Sequence, residues 1–206
     1  MGESSVDVLD IPSKYDEEYY KSDNYSDYLQ RRFTQQVKDI ISLNILDKDS
    51  YILDFGCATG GLINELKKNG YTNVKGTDPS FWAIEYGKKQ LGLEYELEYF
   101  NVDLLTTKPH LLILLDVLEH CPTDILTSYL NIINNHRPNH IIVRIPISRY
   151  EGEDYYLDIS RRDKTHMPPH CKTWWLNKFY FMCKRIPLSL PSMYDSIGVM
   201  VYLFNL

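Results

Sequence analysis

The architecture of this chain is set by Tyr51-Ile52-Leu53-Asp54-Phe55-Gly56-Cys57-Ala58-Thr59-Gly60-Gly61. A short apolar run ends in an acid, a glycine turn follows, and apolar residues then recur at helical spacing. This order is typical of the first strand, loop and helix of a nucleotide-binding βα unit. Because Gly56 and Gly60 can adopt backbone angles closed to other residues, a ligand can lie against the main chain where the new helix begins. The glycine spacing alone also suits an ordinary tight turn.

Acids recur at the ends of the next predicted strands. Asp78 closes the segment that starts at Val74 and lies 24 positions after Asp54, and Asp103 follows the apolar stretch 99–102. The carboxyl ends of parallel strands meet at one edge of a sheet, so the three acids predict a ligand-binding edge. The spacing of Asp78 suits an acid that accepts hydrogen bonds from ribose hydroxyls.

Four motifs in this order resemble those of the class I S-adenosylmethionine-dependent methyltransferases. They are Leu53-Asp54-Phe55-Gly56-Cys57-Ala58-Thr59-Gly60, Asp78-Pro79-Ser80, Asn101-Val102-Asp103 and Asp116-Val117-Leu118-Glu119-His120. Ala58 stands where the family usually has its central glycine, and we expect only a slightly tighter fit there. The resemblance implies an α/β, Rossmann-like fold with a seven-stranded, mostly parallel sheet, helices on both faces and the last strand antiparallel.

The resemblance also implies a cofactor, S-adenosylmethionine, and a product, S-adenosylhomocysteine. Asp54 and the glycines would flank the methionine part, Asp78 would hold the ribose, and Asp103 the adenine amino group. The expected cofactor-binding residues are Asp54, Gly56, Cys57, Ala58, Gly60, Asp78, Pro79, Ser80, Val102, Asp103, Leu104, Asp116 and Val117.

Composition limits the class of protein. With 206 residues, 44% hydrophobic and 24% charged, we expect a single domain over residues 1–206. A net charge of −6 argues against a broad phosphate-binding surface, so no nucleic-acid partner is expected. Four widely spaced cysteines fit reduced thiols, and no apolar run approaches the roughly 20 residues that span a bilayer. The sequence therefore predicts a soluble, cytoplasmic protein without membrane contact, and it leaves the oligomeric state open.

Local patterns predict the elements around the motifs. In the N-terminal region 1–45, a tyrosine-rich stretch from Tyr15 to Tyr28 suits either a surface helix or a lid, and an amphipathic helix follows Phe33. The run from His110 to Asp116 has no alternation, which predicts a central strand covered on both faces. Ser80 is expected to cap a helix, Gly70 to end one, and Pro122 to open one. A third strand is expected over 96–102, and a closing hairpin over 185–190 and 197–205.

Residues 148–183 are expected to form the acceptor side. The insertion 148–172 is longer than an idle connection, and Thr173 is expected to cap a helix through about Met182. A tryptophan pair, Trp174 and Trp175, suits sugar binding, although one ring of such a pair is usually in the core. The arginines of this region suit an anionic acceptor group or ordinary surface salt bridges: Arg144, Arg149, Arg161 and Arg162.

Three residues are candidates for catalysis. An alcohol acceptor needs a base with a pKa near neutrality, and His166 is our first choice, ahead of His120 and Asp116. Either histidine could instead serve only to cap a helix or stabilise a loop. Together with Glu119 these residues could also bind a divalent metal ion, but no spacing demands one, and we expect no metal site.

The predicted function is that of an S-adenosylmethionine-dependent O-methyltransferase acting on a small polar acceptor such as a sugar or glycan hydroxyl. An N-methyltransferase acting on a small molecule or protein, and a non-catalytic binding module with the same fold, are the alternatives. The place after strand four reads Asp116-Val117-Leu118-Glu119 rather than an Asn/Asp-Pro-Pro-aromatic run, which argues against a nucleobase amine as acceptor.

Overall fold

A computed structural model of the chain describes residues 14–22, 29, 33–180, 182–183, 188–190 and 198–205. The strands of this part are β1 (Ile52–Phe55), β2 (Val74–Asp78), β3 (Leu97–Tyr99), β4 (Leu111–Leu115), β5 (His140–Pro146), β6 (Leu188–Ser189) and β7 (Val199–Asn205). The helices are α1 (Glu17–Lys21), α2 (Thr34–Ser42), α3 (Gly61–Lys68), α4 (Phe81–Leu91), α5 (Thr123–His136), α6 (Asp158–Arg162) and α7 (Lys172–Tyr180). Two 3-10 helices cover Val102–Thr107 and Leu118–His120.

The strands form one seven-stranded sheet in the order β3-β2-β1-β4-β5-β7-β6. Strands β1 to β5 are mutually parallel, and β7 runs antiparallel between β5 and β6. The predicted fold class, the antiparallel last strand and the closing hairpin are therefore confirmed. The chain reverses its strand order beside β1, and ligands of open α/β sheets bind at such a switch point, beyond the carboxyl ends of the strands.

Two hydrophobic cores lie on opposite faces of the sheet because side chains alternate along each strand. On β4, Leu111 and Ile113 pack with α2, α3 and α4, whereas Leu112 and Leu114 pack with α5 and α7. All four side chains are buried, as the absence of alternation in this strand predicts. The expected stripe of α5 is also buried: Leu126, Tyr129, Leu130 and Ile133.

Several expected element ends are wrong. Helix α7 begins at Lys172, so Thr173 lies inside its first turn and does not cap it, and the helix ends at Tyr180. Pro122 has extended backbone and precedes α5 as its N-cap residue. Strand β3 is short because the chain turns into a 3-10 helix at Val102.

Some expectations lie outside the described residues. These are the loose start over 1–13, the tyrosines Tyr25 and Tyr28, and parts of the two tail strands at 185–187 and 197. Within the described ranges, no helix combines the length and the apolar character needed to cross a bilayer.

Candidate active site

The loop after β1 lies against the end of β4. Gly56 has φ 87°, and its N–H donates to the Thr77 carbonyl at 2.8 Å. A Cβ at this position would lie 2.3 Å from Cγ2 of Val117. Glycine is therefore required both by the backbone angle and by the close approach of Val117.

The rest of this loop also uses left-handed backbone. Ala58 has φ 47° and Gly60, the N-cap residue of α3, has φ 76°. Ala58 is buried and packs beside Ala83 and Tyr20. The side chain of Cys57 is buried against Gly76, so it is not available to a ligand at the sheet edge.

Asp78 at the end of β2 forms a hydrogen bond to the loop. One carboxylate oxygen accepts from Ala58 N and the other from Ser80 N, both at 2.8 Å. Ser80 caps α4 as predicted, because its hydroxyl oxygen accepts from Ala83 N at 3.0 Å. Burial raises the pKa of Asp78 to about 6, against the opposing effect of the two backbone donors.

Asp54 lies at the end of β1 and is only 4% exposed. Burial, with a further contribution from the nearby charge of Asp78, raises its pKa to about 7. Among the ion pairs of the described residues, none involves Asp54 or Asp78. Two buried acids beside a glycine loop create a site that favours a cationic ligand.

The third predicted acid lies at the same edge but is open to solvent. Asp103 is exposed in the first turn of the 3-10 helix, where Asn101 caps its N–H at 3.1 Å. Asn101 N in turn donates to the Thr77 hydroxyl at 2.9 Å, which fixes this segment to β2. The flanking side chains of Val102 and Leu104 are half-buried and pack on the second core.

Asp116 follows β4 with φ 55° and forms an ion pair with Arg144 of β5. Its side chain is more exposed than that of Arg144, at 42% against 24%. Arg161 pairs with Asp158 and Asp154 in the insertion, so two of the four arginines singled out in the sequence are engaged in salt bridges.

Glu119, His120 and His166 come together at the same edge. One ligand atom from each lies within 4.8 Å of the others. The two imidazole rings meet edge to face, with centroids 4.6 Å apart. Both carboxylate oxygens of Glu119 and Nδ1 of His166 are buried without a hydrogen-bond partner. Asp116, the third catalytic candidate, is not part of this cluster.

Burial sets the protonation of the cluster. It lowers the pKa of His120 to about 4, with the neighbouring His166 acting in the same direction, and it also lowers the pKa of His166. Burial raises the pKa of Glu119 well above its ordinary value. Both imidazoles are therefore neutral near pH 7 and keep a lone pair for a proton or a metal ion.

The insertion 148–172 reaches the cluster because β-bridges hold its two ends together. Ser148 forms isolated bridges to Tyr155 and to Cys171. From there the chain returns across the 3-10 turn after β4, where Met167 N donates to the Glu119 carbonyl at 2.8 Å. Tyr155 also donates from its hydroxyl to the Met167 carbonyl at 3.0 Å. These contacts place His166 beside His120, 46 positions earlier in the chain.

The tryptophan pair divides as expected. Trp175 is buried in the second core, and Trp174 stacks on His170 with ring centroids 3.6 Å apart. Nδ1 of His170 forms a hydrogen bond with Oε1 of Glu151 at 2.7 Å. This stack is a surface contact that holds the insertion on α7.

Comparison with known proteins identifies the family. A family profile described as "Methyltransferase domain" matches residues 25–172, which is most of the chain. The chain belongs to this methyltransferase family.

Solved structures share its fold. The methyltransferase is similar to a SAM dependent methyltransferase from Archaeoglobus fulgidus, at 12% identity over 88% of this chain and 98% of that chain, with a TM-score of 0.64. It is similar to magnesium protoporphyrin IX methyltransferase from Synechocystis PCC 6803 with bound SAH, at 14% identity over 91% of this chain and 96% of that chain, with a TM-score of 0.62. It also resembles small RNA methyltransferase HEN1, at 18% identity over 84% of this chain and 25% of that chain, TM-score 0.64. A sequence search among curated proteins finds no match.

S-adenosylmethionine is the methyl donor of this methyltransferase. The residues present fit that cofactor, which carries a sulfonium and an ammonium group. Gly56 lies half-buried at the sheet edge, and in the part of the chain that the structure describes no ion pair neutralises the buried acids Asp54 and Asp78.

The N-terminal segment lies over both halves of the site. Tyr15 accepts a hydrogen bond from Ser80 Oγ through its carbonyl, and its ring meets that of His120 edge to face at 5.8 Å. Tyr20 stacks on Trp82 of α4 at 5.4 Å. The segment 14–22 thus connects the expected ribose side of the site to the histidine pair.

Two residues behind the histidines, Asp163 and Thr165, are not among the site residues predicted from the sequence. Asp163 is only 8% exposed, and Thr165 contacts His120 Nδ1 at 2.8 Å. An aspartate two positions before a threonine in a loop is the pattern of an Asx turn, which was the available signal. The pattern could not indicate that this turn would pack against a histidine 45 positions earlier in the chain.

Proposed function

We propose that this methyltransferase transfers the methyl group to a hydroxyl oxygen of a small polar acceptor, with a sugar or glycan vicinal diol as the preferred class. The observation that carries the proposal is the cluster of Glu119, His120 and His166 at the sheet edge where we expect the cofactor to bind. A hydroxyl must lose its proton as it attacks, and a neutral histidine of the cluster is placed to accept it when its lone pair does not bind a cation. Methyl transfer then requires mainly that acceptor, carbon and sulfur are held in line and that water is excluded.

A divalent cation belongs to the proposal as well. The cluster offers one carboxylate and two imidazoles, a ligand set that suits such a cation. The partnerless atoms of Glu119 and His166 are the ones that a cation would satisfy. When bound there, a cation would orient the acceptor and lower the pKa of its hydroxyl. We expected no metal site from the sequence because Glu119, His120 and His166 have no recognisable ligand spacing.

The test is a methyl-transfer assay with labelled S-adenosylmethionine, in which sugars and nucleosides with a vicinal diol are compared with their deoxy analogues and with amines. It is run with Mg²⁺ or Mn²⁺ and with a chelator. We expect transfer to the diols alone, and loss of transfer in chelator. Transfer to amines instead would support the N-methyltransferase alternative, and cofactor binding without any transfer would support a non-catalytic module.

His166→Ala should slow turnover by about a hundredfold or more while cofactor binding stays the same, because the variant removes a proton acceptor but no predicted cofactor contact. His136→Ala is the matched control, since this histidine is exposed in the last turn of α5. Full activity of His166→Ala would remove this residue from the reaction.

RNA is a second candidate acceptor. The similarity to small RNA methyltransferase HEN1 and the exposed Arg149, Arg162 and Lys164 of the insertion favour it, whereas the net charge of −6 does not. In RNA only the 3′-terminal ribose has a free vicinal diol. A short RNA should therefore be methylated before but not after periodate oxidation, and free sugars should then be poor substrates.

A further inference from the structure

A buried carboxylate lies behind the two histidines of the cluster. Asp163 Oδ1 accepts from Thr165 Oγ1 at 2.6 Å and from Thr165 N at 2.9 Å. Its other oxygen accepts from the hydroxyl of Tyr19 at 3.3 Å and lies 3.8 Å from Nε2 of His166. Thr165 Oγ1 in turn lies 2.8 Å from Nδ1 of His120. A continuous chain of polar contacts therefore joins Asp163 to both imidazoles.

The hydrogen-bonding capacity of each group fixes the direction of this chain. A carboxylate oxygen accepts only, so the single hydroxyl proton of Thr165 is donated to Asp163. Thr165 Oγ1 then has only lone pairs left for His120, and Nδ1 of His120 must carry the proton that joins them. In a neutral imidazole this leaves Nε2 as the nitrogen with the free lone pair.

We propose that Asp163 and Thr165 are positioning residues that hold His120 in its Nδ1–H tautomer and keep Nε2 free for the chemistry of the site. The role of His120 in catalysis rests on the proposed function. The tautomer of its ring does not depend on that function. The arrangement is that of a ligand or base oriented by a second hydrogen-bonded group, with the threonine hydroxyl inserted between carboxylate and imidazole.

The tautomer of His120 can be measured at a pH where its ring is neutral. In the neutral ring, one nitrogen carries the proton and the other does not. Long-range proton–nitrogen NMR of the ¹⁵N-labelled, cofactor-free protein distinguishes the two forms, and a His120→Gln spectrum assigns the signals. We expect a protonated Nδ1 and an unprotonated Nε2 in the wild type.

Two substitutions of Thr165 distinguish the effect of its hydroxyl group from the effect of its packing. Thr165→Val keeps the shape and removes the hydroxyl, so His120 should become a mixture of tautomers. Thr165→Ser keeps the hydroxyl and should retain the Nδ1–H form. Thr127→Val on the exposed face of α5, where the hydroxyl bonds only its own helix, is the control. An Nε2–H tautomer in the wild type, or an unchanged tautomer in Thr165→Val, would overturn the proposal.

Calorimetry with Mn²⁺ as the probe gives an independent readout. Thr165→Val should weaken Mn²⁺ binding by about ten- to a hundredfold, whereas Thr165→Ser should bind within about threefold of the wild type. If the wild type binds no Mn²⁺ but shows the Nδ1–H tautomer, the cation part of the proposed function fails and the positioning role stands. If Thr165→Val does not fold, the wild-type tautomer and the Thr165→Ser spectrum still decide the question.

Discussion

The buried carboxyl groups of Asp54 and Asp78 dominate the electrostatics of the proposed cofactor site. Both lie at the ends of neighbouring strands, and burial raises the pKa of each. Asp78 has two roles, because it already accepts from Ala58 N and Ser80 N and still has lone pairs for ribose hydroxyls. A change at Asp78 should therefore affect both the shape of the loop and its affinity for the cofactor.

Asp78→Ala should weaken S-adenosylmethionine binding by about 1.5 to 3 kcal/mol, the range for losing hydrogen bonds to a charged group, which is roughly ten- to a hundredfold in Kd. Calorimetric titration with the cofactor and with S-adenosylhomocysteine measures this. Asp49→Ala, an exposed acid before the amino end of β1, should bind like the wild type. Unchanged binding by Asp78→Ala would remove Asp78 from the ribose site.

The same two acids predict how stability depends on pH. Their folded-state pKa values of about 7 and about 6 lie above the ordinary value of 3.8, so the folded state holds protons that the unfolded state releases. This contribution to stability is fully present below the unfolded pKa and is lost as the pH rises through the folded values.

The Tm of the cofactor-free protein should therefore fall as the pH rises from about 5 to about 8. Differential scanning calorimetry across this interval measures the slope. Asp54→Asn, which is neutral throughout, should flatten it. Saturating S-adenosylmethionine should also flatten it, because the cationic cofactor favours the ionised acids. An equal slope in wild type and Asp54→Asn would contradict this assignment of the pKa values.

Much of the cofactor half follows from local sequence, and much of the acceptor half does not. The glycine loop, the acids that end β1 and β2, and the Ser80 cap each depend on neighbours a few positions away, and each lies where the sequence predicted. Thr165 and Asp163 act on His120 only because the insertion folds back across the turn at Glu119. Such contacts depend on tertiary packing, and a single sequence carries no periodic signal for them.

The role of the N-terminal segment also depends on tertiary contacts that the sequence alone does not predict. The tyrosine-rich pattern left a lid and a surface helix open, and the contacts of Tyr15 and Tyr20 now favour a lid. Trp82→Ala removes the ring on which Tyr20 stacks, an interaction worth about 0.5 to 1.5 kcal/mol. Opening of the segment should become easier, and trypsin cleavage after the exposed Lys21 should be roughly two- to tenfold faster.

Gel analysis of the timed digest measures this rate. Trp174→Ala is the control, because its ring stacks on His170 in the insertion. Added S-adenosylmethionine should slow the cleavage in the wild type if the segment closes over the cofactor. Equal rates in wild type and Trp82→Ala would assign the segment to the surface-helix alternative.

At the scale of the whole molecule, we expect stability and ligand binding to depend on different parts of the sheet. The ligand edge lies at the carboxyl ends of β1 to β5, whereas the last strand crosses both cores and ends at the opposite edge. Phe204 near the end of β7 pairs with Ile141 near the amino end of β5. Its ring is fully buried and stacks on Phe179 of α7 at 4.6 Å.

Phe204→Ala should therefore cost about 3 to 5 kcal/mol of unfolding free energy, the range for losing a buried phenylalanine side chain, without changing the cofactor site. Urea unfolding gives the loss of stability, and calorimetric titration under folding conditions should give the wild-type Kd for S-adenosylmethionine. Asp78→Ala should show the stronger effect on the Kd. A Kd that weakens in Phe204→Ala while the protein is still fully folded would show that the second core transmits strain to the ligand edge, because β5 and β7 pair along their whole length.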